Sequence, residues 1–366
     1  MQGHDFEKLR FSKDNLTLYY AGLPNFPRNF ARDSLISGML ASDVEMLRNE
    51  LIFCSLRQGV KRNPKTGEEP GKIFHEYPGV EIKQYSENKG LSTEYNACDT
   101  TALYLIAHEF YYKLTGDRQF LEAHKSSMEK AVSYILSHLD ADVFLENPSF
   151  SGGHKFALRV TYWKDSQIPN RDKGEPAYPV IYSLAHIQNM AGLRSAARIL
   201  AKPELKRTVE KMKNALDRLY DVEFGLFFIA VDQFGPIRGV TSDSLHAFYY
   251  LEPGDVKEDQ ILRIVEVSKA LETPAGYRTM SQETADKMRD KYHANTVWPF
   301  EQALIHKGGK KFGLKHLVEI SSRVIPYLDT DPEILVIDGT DAINKGGCDP
   351  QLWTIAGKIY FAHNKS

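Results

Sequence analysis

The sequence predicts an all-α fold, an (α/α)6 toroid or barrel with a little β structure in its loops, and three observations lead there. The dominant hydrophobic period is helical: after Asp99, residues Ala102, Leu103, Leu105, Ile106, Phe110 and Tyr111 lie close to an i, i+3, i+4, i+7 stripe. Such segments recur about once in every 30 residues, with Pro203, Gly225, Pro253, Gly276 and Pro332 between them, where helix breakers belong. Long loops carrying tryptophan, aspartate and arginine separate the helices, and strand signals are sparse. Periodicity by itself also fits an irregular helical bundle. No linker or low-complexity tract divides the 366 residues, so a single domain over 1–366 is expected.

In chain order, helices are expected over about 34–58, after Asp99, and over 119–139, 178–200, 203–220, 242–250, 256–270, 294–306, 311–327 and 349–363. One stretch, Phe224 to Asp232 (FGLFFIAVD), reads as strand between turn signals at Asp221 and Gly235. The basic patch Lys307 to Lys311 contains Gly308 and Gly309 and reads as a solvated turn between helices.

Composition excludes several classes. At 42% hydrophobic the chain has ample core material. A net charge of −2 without a long basic block argues against nucleic-acid partners. No apolar run approaches 18 residues, so no membrane partner is expected. The N-terminal MQGHDFEKLRF lacks the apolar stretch of a signal peptide. Cys54, Cys98 and Cys348 are odd in number and far apart, which fits a reduced, cytoplasmic setting; Cys348 reads as a small buried residue rather than as a nucleophile. No cofactor or metal is expected. There is no phosphate-binding glycine loop and no GxSxG elbow, His75-Glu76 lacks a second histidine four residues on, and the twelve histidines show no ligand spacing. Oligomeric state leaves no trace in the sequence.

Five loop motifs carry the chemistry: Arg28 to Ser34 (RNFARDS), Tyr162 to Ser166 (YWKDS), Thr273 to Ser281 (TPAGYRTMS), Tyr292 to Phe300 (YHANTVWPF) and Gly347 to Thr354 (GCDPQLWT). RNFARDS and YWKDS are read as preceding helices, and GCDPQLWT as opening the last one, so these edges can converge on one mouth of a toroid. Each motif joins an aromatic or arginine to a group that can bind a hydroxyl. Apolar faces suit pyranose rings and charged forks suit hydroxyl pairs, so the expected partner is a carbohydrate. Two carboxylates in such a pocket are the minimum needed to cleave a glycosidic bond.

Asp165, two residues after Trp163, can be desolvated beside the indole and keep a proton for a leaving oxygen. A helix N-cap explains an Asp-Ser pair equally simply. Arg32 and Asp33 can clamp neighbouring sugar hydroxyls or form a structural ion pair. Glu333, in Asp331-Pro332-Glu333-Ile334-Leu335, or Asp338 shortly after it, can hold a water as general base; Asp341 reads as a solvated loop acid. Trp298 and Trp353 are core or platform; neighbours His293, Asn295 and Gln351 give them a polar setting.

In this order the motifs resemble the amylo-α-1,6-glucosidase family, the glucosidase part of glycogen debranching enzymes. That family is one of a wider set of α/α-toroid glycosidases, which includes glucoamylases and glucosidases acting on glucosylglycerate or mannosylglycerate. The resemblance runs from about Arg28 to Ala356. It implies that Arg32 and Asp33 bind the terminal glucose, that Asp165 of YWKDS is the general acid, and that Glu333 in Pro332-Glu333-Ile334 is the base. The stretch from Glu333 to Cys348 is shorter than in the family, which keeps Asp338 as second candidate. Binding residues implied by the matched segments are His75, Glu76, Asn96, Asp99, Trp163, Lys164, Arg278, His293, Trp298, Gln351 and Trp353. Where many members carry a glutamate after a proline-valine pair, this chain has Ile181, so binding beyond the first subsite should differ. The chain starts just ahead of the first motif, so the sandwich and transferase domains of large debranching enzymes are expected to be missing.

The expectation is therefore an inverting glycoside hydrolase cleaving a terminal α-glucosidic bond. The substrate would be a branched oligosaccharide or a small α-glucoside, and the two carboxyls would stand roughly 6.5–9.5 Å apart. A glycan-binding protein that has lost a carboxylate ranks second. A sugar epimerase using two of His75, His246 and His293 ranks third.

Overall fold

A computed structural model describes residues 6–83, 89–338 and 342–364. Thirteen α-helices dominate among these residues: α1 (Ala31–Ala41), α2 (Val44–Leu56), α3 (Thr100–Thr115), α4 (Arg118–Ser137), α5 (Ser183–Ile199), α6 (Glu204–Asn214), α7 (Leu216–Leu219), α8 (Asp243–Tyr250), α9 (Glu258–Ser268), α10 (Gln282–Asp286), α11 (Pro299–Phe312), α12 (Lys315–Ser322) and α13 (Leu352–His363).

Six of them close a ring. α1 packs on α3, α3 on α5, α5 on α8, α8 on α11, α11 on α13, and α13 returns to α1. Every residue of α1 and most residues of α5, α8, α11 and α13 are buried, as a helix flanked on all sides requires. Outside the ring, α2, α4, α6, α9 and α12 pack on their inner partners and bury single stripes, such as Leu205, Val209 and Met212 of α6. This is the (α/α)6 toroid.

Local signals set the joints. Ser42, at φ 52°, ends α1, and the Asp43 carboxylate caps α2 by accepting from the Met46 N–H at 2.9 Å. Gly116, at φ 69°, ends α3, and Asp117 caps α4 through the Phe120 N–H at 3.0 Å. The single helix expected over 34–58 is thus two. The expected helix over 203–220 is likewise divided into α6 and α7.

Three further expectations change. The stretch 224–232 is broken into two short strands, Leu226–Phe227 and Ala230–Asp232, which pair with different partners. Lys307 to Lys311 lie inside α11 instead of in a turn, with Gly308 and Gly309 buried. YWKDS does not lead directly into an α-helix; irregular chain with one short 3-10 turn runs to the strand Ile181–Tyr182 before α5. The three-stranded antiparallel sheet of Thr296–Val297, Ile334–Asp338 and Ala342–Gly346 was not anticipated from the residue pattern. Among the described residues, no helix is long and apolar enough to cross a membrane, and no group of three or more His, Cys, Asp or Glu is placed to hold a metal ion.

Candidate active site

The N-terminal ends of α1, α11 and α13 open on one small pocket. Arg32 and Asp33 lie in the first turn of α1, Trp298 caps α11 and Gln351 caps α13. Trp163, Asp165, Tyr292, His293, Glu333 and Trp353 complete the polar and indole lining, with Ala21, Phe26 and Phe30. All three tryptophans of the chain therefore face one cavity.

Asp165 lines the pocket with its side chain 28% exposed. Arg32 Nη1 stands 3.6 Å from its Oδ2 and His75 Nε2 3.8 Å from the same oxygen. Desolvation pushes the Asp165 carboxyl up to about 7, Arg32 pulls it down, and Glu76 and Asp99 push it up again. Arg32 is only partly available to Asp165, because Nε and Nη2 grip both oxygens of Asp99 at 2.8 and 3.0 Å. Burial, then Arg32, pushes His75 well below the ordinary histidine range, so it faces Arg32 as a neutral ring. No helix starts at Asp165, so the N-cap explanation of its Asp-Ser pair falls away.

Glu333 sits where the chain enters the strand Ile334–Asp338. Its backbone N–H donates to the Cys348 carbonyl and the Cys348 N–H donates back to Oε2, both at 2.8 Å. The Tyr292 hydroxyl donates to Oε1, and Gln351 Nε2 approaches the same oxygen at 3.5 Å. Burial raises the Glu333 carboxyl, while Tyr292 and the Cys348 N–H favour its charged form. Asp33 is also buried in the pocket; desolvation, Glu333 and Asp165 raise its carboxyl well above the usual range against the pull of Arg32. Burial likewise pushes the Cys348 thiol up to about 11, which leaves it unreactive.

Gly347 makes the seat for Glu333. Its φ of +74° suits glycine, and a Cβ there would lie 2.3 Å from Glu333 Oε2. Gly347→Ala is expected to cost about 1–3 kcal/mol in stability and to lower kcat by displacing the carboxylate. Gly116→Ala, at φ +69° with nothing within 4 Å, should lose stability alone. Melting curves and kcat on the two variants check this.

The aromatic wall is interlocked. His293 stacks on Trp298 at 4.9 Å and 7°, and Trp353 stacks on Phe300 at 3.9 Å and 11°. Trp163 meets Trp298 edge-on at 5.7 Å.

Other implied residues lie apart from the cavity. Asn96 ties loops together, accepting from the Ala157 and Leu158 N–H groups and donating to the Thr66 carbonyl. Glu76 pairs with Arg28 and Thr93, and Asp99 is spent on Arg32. Lys164 is fully buried against Asp243, Ser242 and the Thr279 carbonyl. Arg278 reaches Gln282 and the Ala270 carbonyl instead of the pocket. His246 is buried beside Trp163, away from the lining, and no histidine pair for epimerisation is assembled among the described residues. The Asp338 side chain and all of Asp341 lie outside the described residues. Sequence reasoning assigned no role to Tyr292, although it opens the quoted YHANTVWPF motif, nor to Phe26, Phe30 or Asp243.

A family model described as a mannosylglycerate hydrolase MGH1-like glycoside hydrolase domain matches residues 96–330. Among solved structures, the fold is similar to a GH63 mannosylglycerate hydrolase from Thermus thermophilus in complex with Tris and D-glycerate. That match has a TM-score of 0.71 and 12% identity and covers 98% of both chains. The same enzyme in complex with glucose gives a TM-score of 0.68 at 12% identity over 94% of this chain and 95% of that one. A GH78 rhamnosidase of Bacillus sp. GL1 matches at 0.60 and 13% identity over 92% of this chain and 32% of its own. No curated protein sequence matches. The matches support the α/α-toroid glycosidases at large; within them the family model is the mannosylglycerate hydrolase-like one, not the debranching one to which the motifs were likened.

Proposed function

We propose, from the premise that this chain belongs to the mannosylglycerate hydrolase MGH1-like glycoside hydrolase family, that it is an inverting α-glycosidase. It would release one terminal hexose from a small hydroxy acid such as glycerate. One observation carries the reading: a carboxyl held near neutrality, Asp165, and a carboxylate fixed by several donors, Glu333, line the same small indole-walled pocket. Asp165 donates its proton to the glycosidic oxygen as the bond to the anomeric carbon breaks. Glu333 takes a proton from a water that attacks that carbon from the opposite face. Asp33 and Arg32 meet the ring hydroxyls, and Trp163, Trp298 and Trp353 shape the walls. A small pocket walled by three indoles favours a single ring over a long glucan. The D-glycerate and glucose complexes of the Thermus enzyme make mannosylglycerate and glucosylglycerate the first substrates to try.

Proton NMR of a panel of these two with isomaltose, panose, maltose and trehalose tests the reading. Release of glycerate is the expected result. Turnover of isomaltose or panose alone would restore an α-1,6-glucosidase. Binding without turnover anywhere would favour a glycan-binding protein.

A further inference from the structure

Asp243, the first residue of α8, takes no part in the pocket lining, yet the three residues before Asp165 converge on it. The Tyr162 hydroxyl donates to its Oδ2 at 3.1 Å, the Trp163 indole N–H to Oδ1 at 3.2 Å, and Lys164 Nζ lies 2.9 Å from Oδ1. The Thr241 hydroxyl adds a bond to Oδ2 at 3.1 Å. Four donors fill the acceptor sites of one carboxylate. From this geometry we infer that Asp243 is the positioning residue of the acid: it fixes the register of the loop that presents Asp165 to the leaving oxygen. The inference rests on the reading of Asp165 as the general acid.

Three features support it. After Asp165 the chain is irregular, with one short 3-10 turn, until the strand Ile181–Tyr182, so no long helix or sheet ladder holds the acid from its C-terminal side. Lys164, fully buried, is satisfied on all sides, its remaining contacts being the Ser242 hydroxyl at 3.0 Å and the Thr279 carbonyl at 3.3 Å. A buried ion pair of this kind is a poor source of stability compared with apolar packing, but it has a single geometry, which suits a register device. The clamp also spans motifs. Ser242 donates to Glu301 Oε1 at 2.7 Å, with His246 Nδ1 3.4 Å from that oxygen, while Thr279 bonds the Ala294 carbonyl at 2.8 Å. The charged and titratable groups acting on Asp165 include Arg32, Asp33, His75, Glu76, Asp99 and Tyr292. Asp243 acts through the loop, by its bonds to Tyr162, Trp163 and Lys164.

The test uses Asp243→Asn and Tyr162→Phe, the latter removing one bond without changing charge. Folding is first checked by circular dichroism and melting. Carbon-13 NMR of aspartate-carboxyl-labelled protein then follows the Asp165 resonance, identified by its loss in Asp165→Asn, alongside kcat on the glyceryl glycosides. In Asp243→Asn, kcat should fall about 10²-fold with KM changed less than about threefold. The Asp165 midpoint should drop by about one pH unit or more as water reaches a loosened carboxyl. Tyr162→Phe should show the same changes at smaller amplitude, a kcat loss of about 3- to 10-fold. If Asp243→Asn does not fold, Tyr162→Phe and Thr241→Val decide. Folded variants that lose only melting temperature, with wild-type kcat and midpoint, would overturn the inference. If the wild type turns over no substrate, the functional reading fails, and the NMR midpoint alone decides the role of Asp243.

Discussion

Asp165→Asn should lower kcat on a glyceryl glycoside about 10³-fold while leaving substrate binding nearly intact. The amide keeps the size of the carboxyl but has no proton to give, so the loss falls on the step in which the leaving oxygen gains charge. Because all three tryptophans face the pocket, quenching of intrinsic fluorescence measures binding in the same samples. The leaving group supplies a second check. An aryl glycoside with an acidic phenol departs without protonation, so Asp165→Asn should lose far less on it than on the glycerate. The wild-type pH profile carries the same signature. Asp165 must hold its proton, so kcat/KM should fall as pH rises through about 7. That alkaline limb should vanish from the residual activity of the variant.

Glu333→Gln should cost a similar factor, about 10³ in kcat, with a different pattern. In its proposed role the glutamate acts on water, so an acidic phenol should not relieve its loss, and both substrate types should suffer alike. Its carboxylate must be ionised to accept a proton. Activity therefore falls as pH drops through its pKa, which burial raises above the ordinary glutamate value and the hydrogen bonds from Tyr292 and the Cys348 N–H pull back. On the proposed roles, the acid limb of the wild-type profile should belong to Glu333 and the alkaline limb to Asp165. Each limb should vanish with its own residue. Equal loss of both limbs in either variant would mean the two roles have been assigned wrongly.

The ring of six helices was legible because it rests on burial periodicity, which the sequence displays directly. The 3.6-residue pattern after Asp99 and the Gly116-Asp117 joint are of this kind. The convergence of RNFARDS and GCDPQLWT on one mouth was also legible, since each lies at a helix N-terminus; YWKDS reaches the same pocket without opening a helix. Loop detail was not. Within YWKDS, Trp163 and Asp165 line the pocket while Lys164 between them turns into the interior. In an irregular segment no fixed period assigns side chains to a face, so spacing alone does not say which of them meets water. The same ambiguity separates Thr279, bonded inward, from its neighbour Arg278, directed away. Asp243 left no sequence trace because its meaning depends on three donors about 80 positions away. In the sheet that begins just after Glu333, Ile334–Asp338 pairs with the nearby Ala342–Gly346; the third strand, Thr296–Val297, left no periodic signal because it has only two residues and comes from a distant part of the chain.

Asp165 and Glu333 are proposed to work on opposite faces of one anomeric carbon. Time-resolved proton NMR of the sugar released from α-mannosylglycerate or α-glucosylglycerate tests it directly, read before mutarotation. The β-anomer should appear first, as single displacement by a Glu333-activated water requires. First appearance of the α-anomer would mean a covalent intermediate and a carboxylate nucleophile, and would contradict the account.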